Sequence, residues 1–319
     1  MAQNGRLTYE AVLFAASLRA SAPNWLGRLV VAEPRPGPLW PADPGISDPA
    51  ARECLERLGA EIRPFDSLHF GAAYPHGNKI EALATLEADE PFVFFDSDTL
   101  ITGPINDVAF DMHRPSASMA REGTWPEIQL YGPGYTDTWK AIYDRFDVPF
   151  EPTLDHREPD EHWERYLYFN AGWFYYKCPH AFRERMLEIM LGLRDDPLPE
   201  LVCQSLNPWL DQIALPVTIA SFGGGRPGPE LDGLDGDISF HWRALPLFYA
   251  RATNAQIDFL EEITQPNWIK KVLKTHEPFR RLLYQKRGYR VRALFDQQNL
   301  PAKERAIRSR IKRENLWLR

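Results

Sequence analysis

The stretch Phe92-Val93-Phe94-Phe95-Asp96-Ser97-Asp98 constrains this chain more than any other, because an apolar run stops abruptly on two carboxylates one residue apart. Pro91 and Gly103-Pro104 bracket it. Its length and its aromatic and β-branched content are those of a buried strand in an α/β sheet, so its end lies at the rim of that sheet. Side chains alternate along a strand, which sends Asp96 and Asp98 to the same side. Two hard oxygen ligands converging on one point suit Mg²⁺ or Mn²⁺, with positions left over for water and phosphate oxygens. Short Asp-X-Asp triplets also arise by chance as loop or cap acids, and the rest of the chain has to decide between the two.

The segments around that run alternate between helix and strand. Apolar residues at helical intervals mark Leu7 to Ser21, and a short strand, Leu29 to Ala32, follows and ends in a Pro-rich loop. Asp48-Pro49 opens a helix that runs to Gly59, with Asp at the cap and Pro at the first helical position, before a strand at Glu61 to Pro64. Asn78 to Ala88 reads as a helix leading into the Asp96 strand. Alternating units of this kind build a largely parallel, doubly wound sheet with ligands outside the carboxyl ends of its strands. Such a sheet opens with a strand feeding its first helix, yet only Met1 to Arg6 stand before this one. A chain that starts late is the expected cause, ahead of another segment covering that edge.

Beyond Ile105 the pattern loosens. Residues 121–165 are rich in Trp, Tyr, Pro and acids, with a helix over Asp137 to Phe146, and read as an insertion over the active face. Tyr168 to Tyr176 reads as a strand, Pro179 to Leu193 as an amphipathic helix, and Asp211 to Ser221 as a turn with a short strand. The run Gly223-Gly224-Gly225-Arg226-Pro227-Gly228 lacks the Gly-Lys-Ser/Thr ending of a phosphate-binding loop and reads as a mobile surface loop. From Asn254 onward the chain is helical in character.

At 319 residues and 44% hydrophobic content the chain can bury a sizeable core. No apolar run approaches the ~20 residues of a membrane span. Ala11 to Ser17 is short and lacks a basic region before it, so it reads as an ordinary helix rather than a signal peptide. Cys54, Cys178 and Cys203 are scattered and define neither a disulfide framework nor a zinc site, which points to reduced thiols and a cytoplasmic protein. Charge divides the chain: from Lys270 onward there are 16 Lys+Arg against 4 Asp+Glu, although the whole carries -7. A basic helical end of this kind meets an anionic membrane at its inner face, nucleic acid, or the acidic body of its own domain. Docking on the body is the plainest of these, and no nucleic-acid partner is expected.

Five short motifs then occur in order: Asn78-Lys79-Ile80-Glu81, Phe95-Asp96-Ser97-Asp98-Thr99, Phe169-Asn170-Ala171-Gly172, Leu210-Asp211-Gln212 and Phe240-His241-Trp242. In this order they resemble the retaining glycosyltransferases of the GT-A fold called family 8, the glycogenin and lipopolysaccharide galactosyltransferase type. The likeness covers about residues 5 to 245. It implies that Asp96, Asp98 and His241 hold Mn²⁺ or Mg²⁺, and imidazole beside two carboxylates suits Mn²⁺. It also implies donor contacts from Ser97, Asn170, Ala171 and Gly172, from Lys79 near the phosphates or sugar, and from Tyr9 against the nucleotide base. Asp211 and Gln212 would lie by the anomeric carbon, Asp211 holding donor hydroxyls and Gln212 stabilising an oxocarbenium-like centre. Gln is a poor nucleophile, so a front-side displacement fits better than a covalent intermediate. The family commonly places a Gly and then a Lys after its histidine; here Trp242-Arg243 follows, and Arg243 is the candidate replacement on the diphosphate.

The resulting expectation is a GT-A catalytic domain over residues 1–250 with a mixed, mainly parallel sheet, and a basic helical extension over residues 251–319. A nucleotide-sugar donor, a UDP-sugar by resemblance, and a glycan or glycolipid acceptor are the implied partners. Trp125, Tyr131, Tyr135, Trp139 and Trp163 either stack on acceptor sugar rings or pack the insertion itself. A non-catalytic sugar-nucleotide or glycan-binding module and a nucleotidyltransferase are the competing readings. The latter should carry a Gly-rich basic loop after its first strand, which this chain lacks.

Overall fold

The computed structural model describes all 319 residues. Its strands are β1 (Leu29–Pro34), β2 (Ala60–Phe65), β3 (Phe92–Phe95), β4 (Thr99–Ile101), β5 (Trp173–Tyr176) and β6 (Ser239–His241). Helices α1 (Arg6–Ser21), α2 (Pro49–Arg57), α3 (Asn78–Glu81), α4 (Tyr135–Arg145), α5 (Pro179–Asp195) and α6 (Leu210–Ser221) alternate with them. The carboxyl-terminal part is all helical: α7 (Leu245–Arg251), α8 (Asn254–Ile263), α9 (Asn267–Leu273), the single turn α10 (Glu277–Phe279), α11 (Arg287–Arg292) and α12 (Glu304–Arg313). The chain is therefore of mixed α/β class.

The strands form three separate pairs instead of one mainly parallel sheet. β1 and β2 are parallel, joined by α2 as a crossover, while β3–β5 and β4–β6 are antiparallel. The long connections that return β5 and β6 release these strands from the crossover geometry that parallel pairing requires. Within β5 the period of two divides the molecule: Trp173 and Tyr175 enter one core with α1, β1, β4 and the carboxyl-terminal helices, while Phe174 and Tyr176 enter a second with α4, α5 and α6.

Local chemistry explains where elements begin and end. Asp48 caps α2, its Oδ1 accepting from the Ala50 and Ala51 amides at 2.9 and 3.3 Å. The helix expected over 78–88 stops at Glu81 and tightens into a 3₁₀ turn over Ala82–Thr85. Glu81 is drawn to the preceding loop, accepting from the Leu68 and His69 amides at 2.6 and 3.0 Å, and Thr85 Oγ1 donates to the Ala82 carbonyl. The strand expected over 168–176 covers only its second half, because the Asn170 amide turns to the Ser118 carbonyl.

Residues 211–221 are corrected outright, since they form helix α6 rather than a turn and strand. The segment is buried almost all round, so no polar face marks its period, and Pro216 reads as a breaker. Inside the helix that proline removes the N–H that would meet the Gln212 carbonyl and crowds that carbonyl, a local cost that the burial of its neighbours outweighs. The glycine run is also packed rather than loose. A Cβ on Gly224 would sit 2.0 Å from the Pro115 carbonyl oxygen, Ser116 Oγ donates to the Gly225 carbonyl, and Arg226 donates to the carbonyls of Thr153 and Arg165.

In the insertion, Trp125 and Trp139 are buried against each other edge to face, so they pack the segment itself. Tyr135 stacks on Tyr166, Trp163 lies under the Arg121 guanidinium, and Tyr131 is exposed. The basic end docks on the body through Ile307, Ile311 and Leu316, leaving Arg305, Arg310, Lys312 and Arg313 exposed. No helix is long and apolar enough to cross a membrane.

Candidate active site

β3 ends at Phe95, and the chain turns through Asp96-Ser97-Asp98 into β4, whose pairing with β6 sets Thr99 opposite His241. Two backbone bonds fix this corner, from the Asp96 amide to the Gly172 carbonyl at 2.8 Å and from the Trp242 amide to the Asp98 carbonyl at 2.9 Å. His241 Nε2 consequently faces both carboxylates, 3.2 Å from Asp98 Oδ1 and 4.0 Å from Asp96 Oδ2. One ligand atom from each of Asp96, Asp98 and His241 lies within 4.8 Å of the others. Two carboxylate oxygens and an imidazole nitrogen form a donor set that fits a small divalent cation.

Gly172 makes this approach possible, since a Cβ there would lie 2.4 Å from His241 Nδ1. Lys79 closes the other side. Its buried Nζ is 3.0 Å from Asp211 Oδ2, 3.6 Å from Asp96 Oδ1 and 3.0 Å from the Ala171 carbonyl. Burial works against its charge, but Asp96 and Asp211 outweigh burial and hold its pKa above the ordinary lysine value. Burial pushes the Asp96 carboxyl up, with Lys79 opposing. Asp98 is held below the usual carboxylate range: burial opposes this, and His241 and Arg6 prevail.

Asp211 and Gln212 stand on the first turn of α6. Asp211 is buried with both oxygens engaged, Oδ2 by Lys79 and Oδ1 by the Tyr74 hydroxyl at 2.8 Å. In this geometry its partners are Lys79 and Tyr74. Gln212 is half-buried, and its Oε1 accepts from the Tyr168 hydroxyl at 2.9 Å, which leaves its amide N–H groups free to donate. Asn170 spends one amide hydrogen on the Ala120 carbonyl at 2.8 Å, and Ser97 is buried beside the two carboxylates.

Two expected donor contacts are engaged elsewhere. The Tyr9 ring stacks on His276 with centroids 4.8 Å apart, and its hydroxyl bonds Asp48, so both of its binding features are used in joining α1 to α2 and the carboxyl-terminal helices. Arg243 adopts φ 57° and turns its guanidinium to Glu304 and Glu122 at 3.0 and 3.1 Å and to the Ala120 carbonyl at 2.6 Å. With its fork filled by two carboxylates it ties the end of β6 to α12. Sequence reasoning missed Tyr74 and Tyr168, which orient Asp211 and Gln212, because lone tyrosines carry no spacing signal. It also missed Glu10, a fully buried acid paired with Arg6 one helical turn earlier, although that four-residue spacing is legible.

A mixed α/β chain that gathers two strand-end carboxylates, an imidazole and a buried lysine at one corner of the fold has the composition of a group-transfer enzyme. Residues 1–223 match the family described as a Rhodobacterales glycosyltransferase domain, and the chain belongs to that family. It is a glycosyltransferase, and a sugar donor and an acceptor are its partners. The matched span includes Asp96, Asp98, Asn170 to Gly172, Asp211 and Gln212, while His241 lies beyond it. No curated protein and no solved structure matches the chain.

Proposed function

We propose that this glycosyltransferase has the GT-A fold, holds Mn²⁺ or Mg²⁺ on Asp96, Asp98 and His241, and moves a sugar from a UDP-sugar to an acceptor hydroxyl with retention. The observation that carries this is the convergence of those three side chains at the ends of β3 and β6, with Gly172 giving His241 its room. The order of the five motifs supports the family 8 kind of transfer.

The bound cation would supply Lewis-acid neutralisation of the charge that builds on the departing diphosphate. Lys79 sets the charge balance beside it, keeping Asp96 directed at the site and tying it to α6 through Asp211. Gln212, whose Oε1 accepts from Tyr168, would offer its free amide N–H groups to the donor. Neither it nor buried Asp211 is placed as a free nucleophile, which favours front-side displacement with the leaving phosphate taking the acceptor proton. The half-buried Trp163 and exposed Tyr131 remain as stacking surfaces for a glycan or glycolipid acceptor. The exposed cations of α12 support contact with an anionic membrane surface at its inner face.

The test is calorimetric titration of Mn²⁺ and then UDP-, GDP- and dTDP-sugars, with the Asp96→Ala/Asp98→Ala double variant alongside, followed by a product assay on the donor that binds. Metal-dependent binding of one donor, lost in the double variant, is the expected result. Binding without transfer would leave a sugar-nucleotide-binding module, and donor binding indifferent to Mn²⁺ would overturn the metal assignment.

A further inference from the structure

Residues 155–165 form a closed turn within the insertion, and the acids on it are not equivalent. The Asp155 amide donates to the Arg165 carbonyl at 2.8 Å, the Arg165 amide to the His162 carbonyl at 3.0 Å, and Arg165 Nη1 to the Glu158 carbonyl at 2.9 Å. Of the ten residues 155–164, five are Asp or Glu against one Arg, so the turn carries a net charge of -4. Three of the five acids are engaged. Asp155 holds Arg157 at 2.7 Å, Asp160 accepts from Thr136 Oγ1 at 3.3 Å, and Glu161 accepts from the Tyr135 and Thr136 amides at 2.6 and 2.9 Å, where α4 begins. Glu158 and Glu164 have no lysine or arginine in ion-pair contact. They converge with His162 instead, one ligand atom from each of the three lying within 4.8 Å of the others.

We propose that Glu158, His162 and Glu164 form a second divalent-cation site, one that takes Zn²⁺ and fastens the insertion. The ring nitrogen of His162 points to a ligand independently of the acids. Nδ1 is shielded from water and makes no hydrogen bond, although Glu158 Oε2 stands 3.1 Å away. A buried polar atom left so is costly, and a cation shared by the two atoms accounts for both facts. Ligand atoms about 2.1 Å from one ion and about 90–109° apart stand roughly 3.0–3.4 Å from each other. His241 Nε2 and Asp98 Oδ1 keep the same spacing, 3.2 Å, at the first centre. One imidazole and two carboxylates suit Zn²⁺, which such a set binds more tightly than Mn²⁺, and the half-buried turn leaves a fourth position to water. The ion ties Glu158 on one limb of the turn to Glu164 on the other. Between them Glu161 carries the start of α4, and Trp163 lies 4.4 Å from the Arg121 guanidinium, so the ion fixes both relative to the turn. The site shares no residue with Asp96, Asp98 and His241, and the inference is independent of the transfer chemistry.

The experiment titrates Zn²⁺ calorimetrically into the full chain carrying Asp96→Ala/Asp98→Ala, which removes the first centre and leaves the turn intact. One equivalent should bind. Adding His162→Ala, or the isosteric pair Glu158→Gln/Glu164→Gln, should weaken it by at least the roughly 10–100-fold that loss of a supporting partner alone costs. His156→Ala, which removes an exposed histidine of the same turn, should change nothing. A second readout uses the unaltered chain: with Zn²⁺, amide exchange followed by mass spectrometry should slow about tenfold over residues 155–165, and not in His162→Ala. Circular dichroism checks that each variant keeps the fold. Exchange over 155–165 that is indifferent to Zn²⁺ would overturn the proposal. So would binding that survives both His162→Ala and the glutamine pair, because the ion would then sit on other ligands.

Discussion

At the scale of single residues the site depends on space as much as on charge. Gly172 has no side chain where one would strike His241 Nδ1 at 2.4 Å, so Gly172→Ala should push the imidazole off the carboxylates. A displacement of this order costs about 100-fold in rate, and the overpacking about 1–3 kcal/mol. Transfer kinetics and chemical denaturation of the variant separate the two effects, and near-normal turnover would show that His241 is not held where the chemistry needs it. Lys79 is the charge counterpart. Lys79→Met keeps the length of the side chain but leaves Asp96 and buried Asp211 without their cation, and removing one member of a buried ion pair costs about 3–5 kcal/mol. Saturating Mn²⁺ should restore part of that stability if the cation binds beside Asp96, a rescue that denaturation with and without metal would detect. Asp96 and Asp98 were legible because an apolar strand ending in acids is a local pattern. The ties from Lys79 to Asp211 and from Tyr168 to Gln212 join residues more than forty positions apart, which no local pattern encodes.

At the scale of elements, one acid adds charge to the aliphatic docking of α12 on the catalytic half. Glu304 is buried at the start of that helix, where it meets Arg243 at 3.0 Å, Arg251 at 3.1 Å and Arg308. Burial alone would raise its pKa, but Arg243, then Arg308 and Arg251, hold it below the ordinary glutamate value. A carboxyl depressed in the folded state contributes stability that is present above its unfolded pKa and lost as pH falls through the folded one. Unfolding free energy should therefore decline on acidification below about pH 4.5, near the unfolded glutamate value. Because the arginines left behind keep access to water, Glu304→Gln should remove about 1–3 kcal/mol at pH 7 and flatten that part of the profile, measured by urea denaturation across pH. An unchanged profile would show that the arginines find other partners. Elements with an exposed face, such as α2, α4 and α5, were readable from periodicity and caps. Helix α6 was not, because a segment buried on every side has no period and its proline imitates a break. The partners of Arg243 were hidden for a related reason, since only the fold brings Glu122 and Glu304 to it.

At the scale of the whole molecule, the sequence suggests a boundary at residue 250 and a change of charge at Lys270, but the packing divides at neither. Ile257, Leu260, Ile269, Val272 and Leu273 of α8 and α9 share one core with Leu13 and Leu18 of α1 and with Leu55 of α2. Opposite charge on the two parts reinforces that union without creating it, since the contacts that exclude water are aliphatic. A fragment ending at residue 250 would expose this face of α1 and α2, and each large side chain left without its partner forfeits about 1.5–3 kcal/mol of burial. A domain is stable by only about 5–15 kcal/mol, so a handful of such losses exceeds the total. The 1–250 fragment should accordingly be aggregation-prone and melt without a sharp transition. Adding residues 251–319 as a separate polypeptide should restore cooperativity to the extent that the two parts reassociate. Circular dichroism melts of the fragment, the mixture and the full chain test this. A soluble fragment with a single sharp transition would mean that the catalytic half folds alone and that the basic helices are an appendage, as the charge pattern by itself suggests.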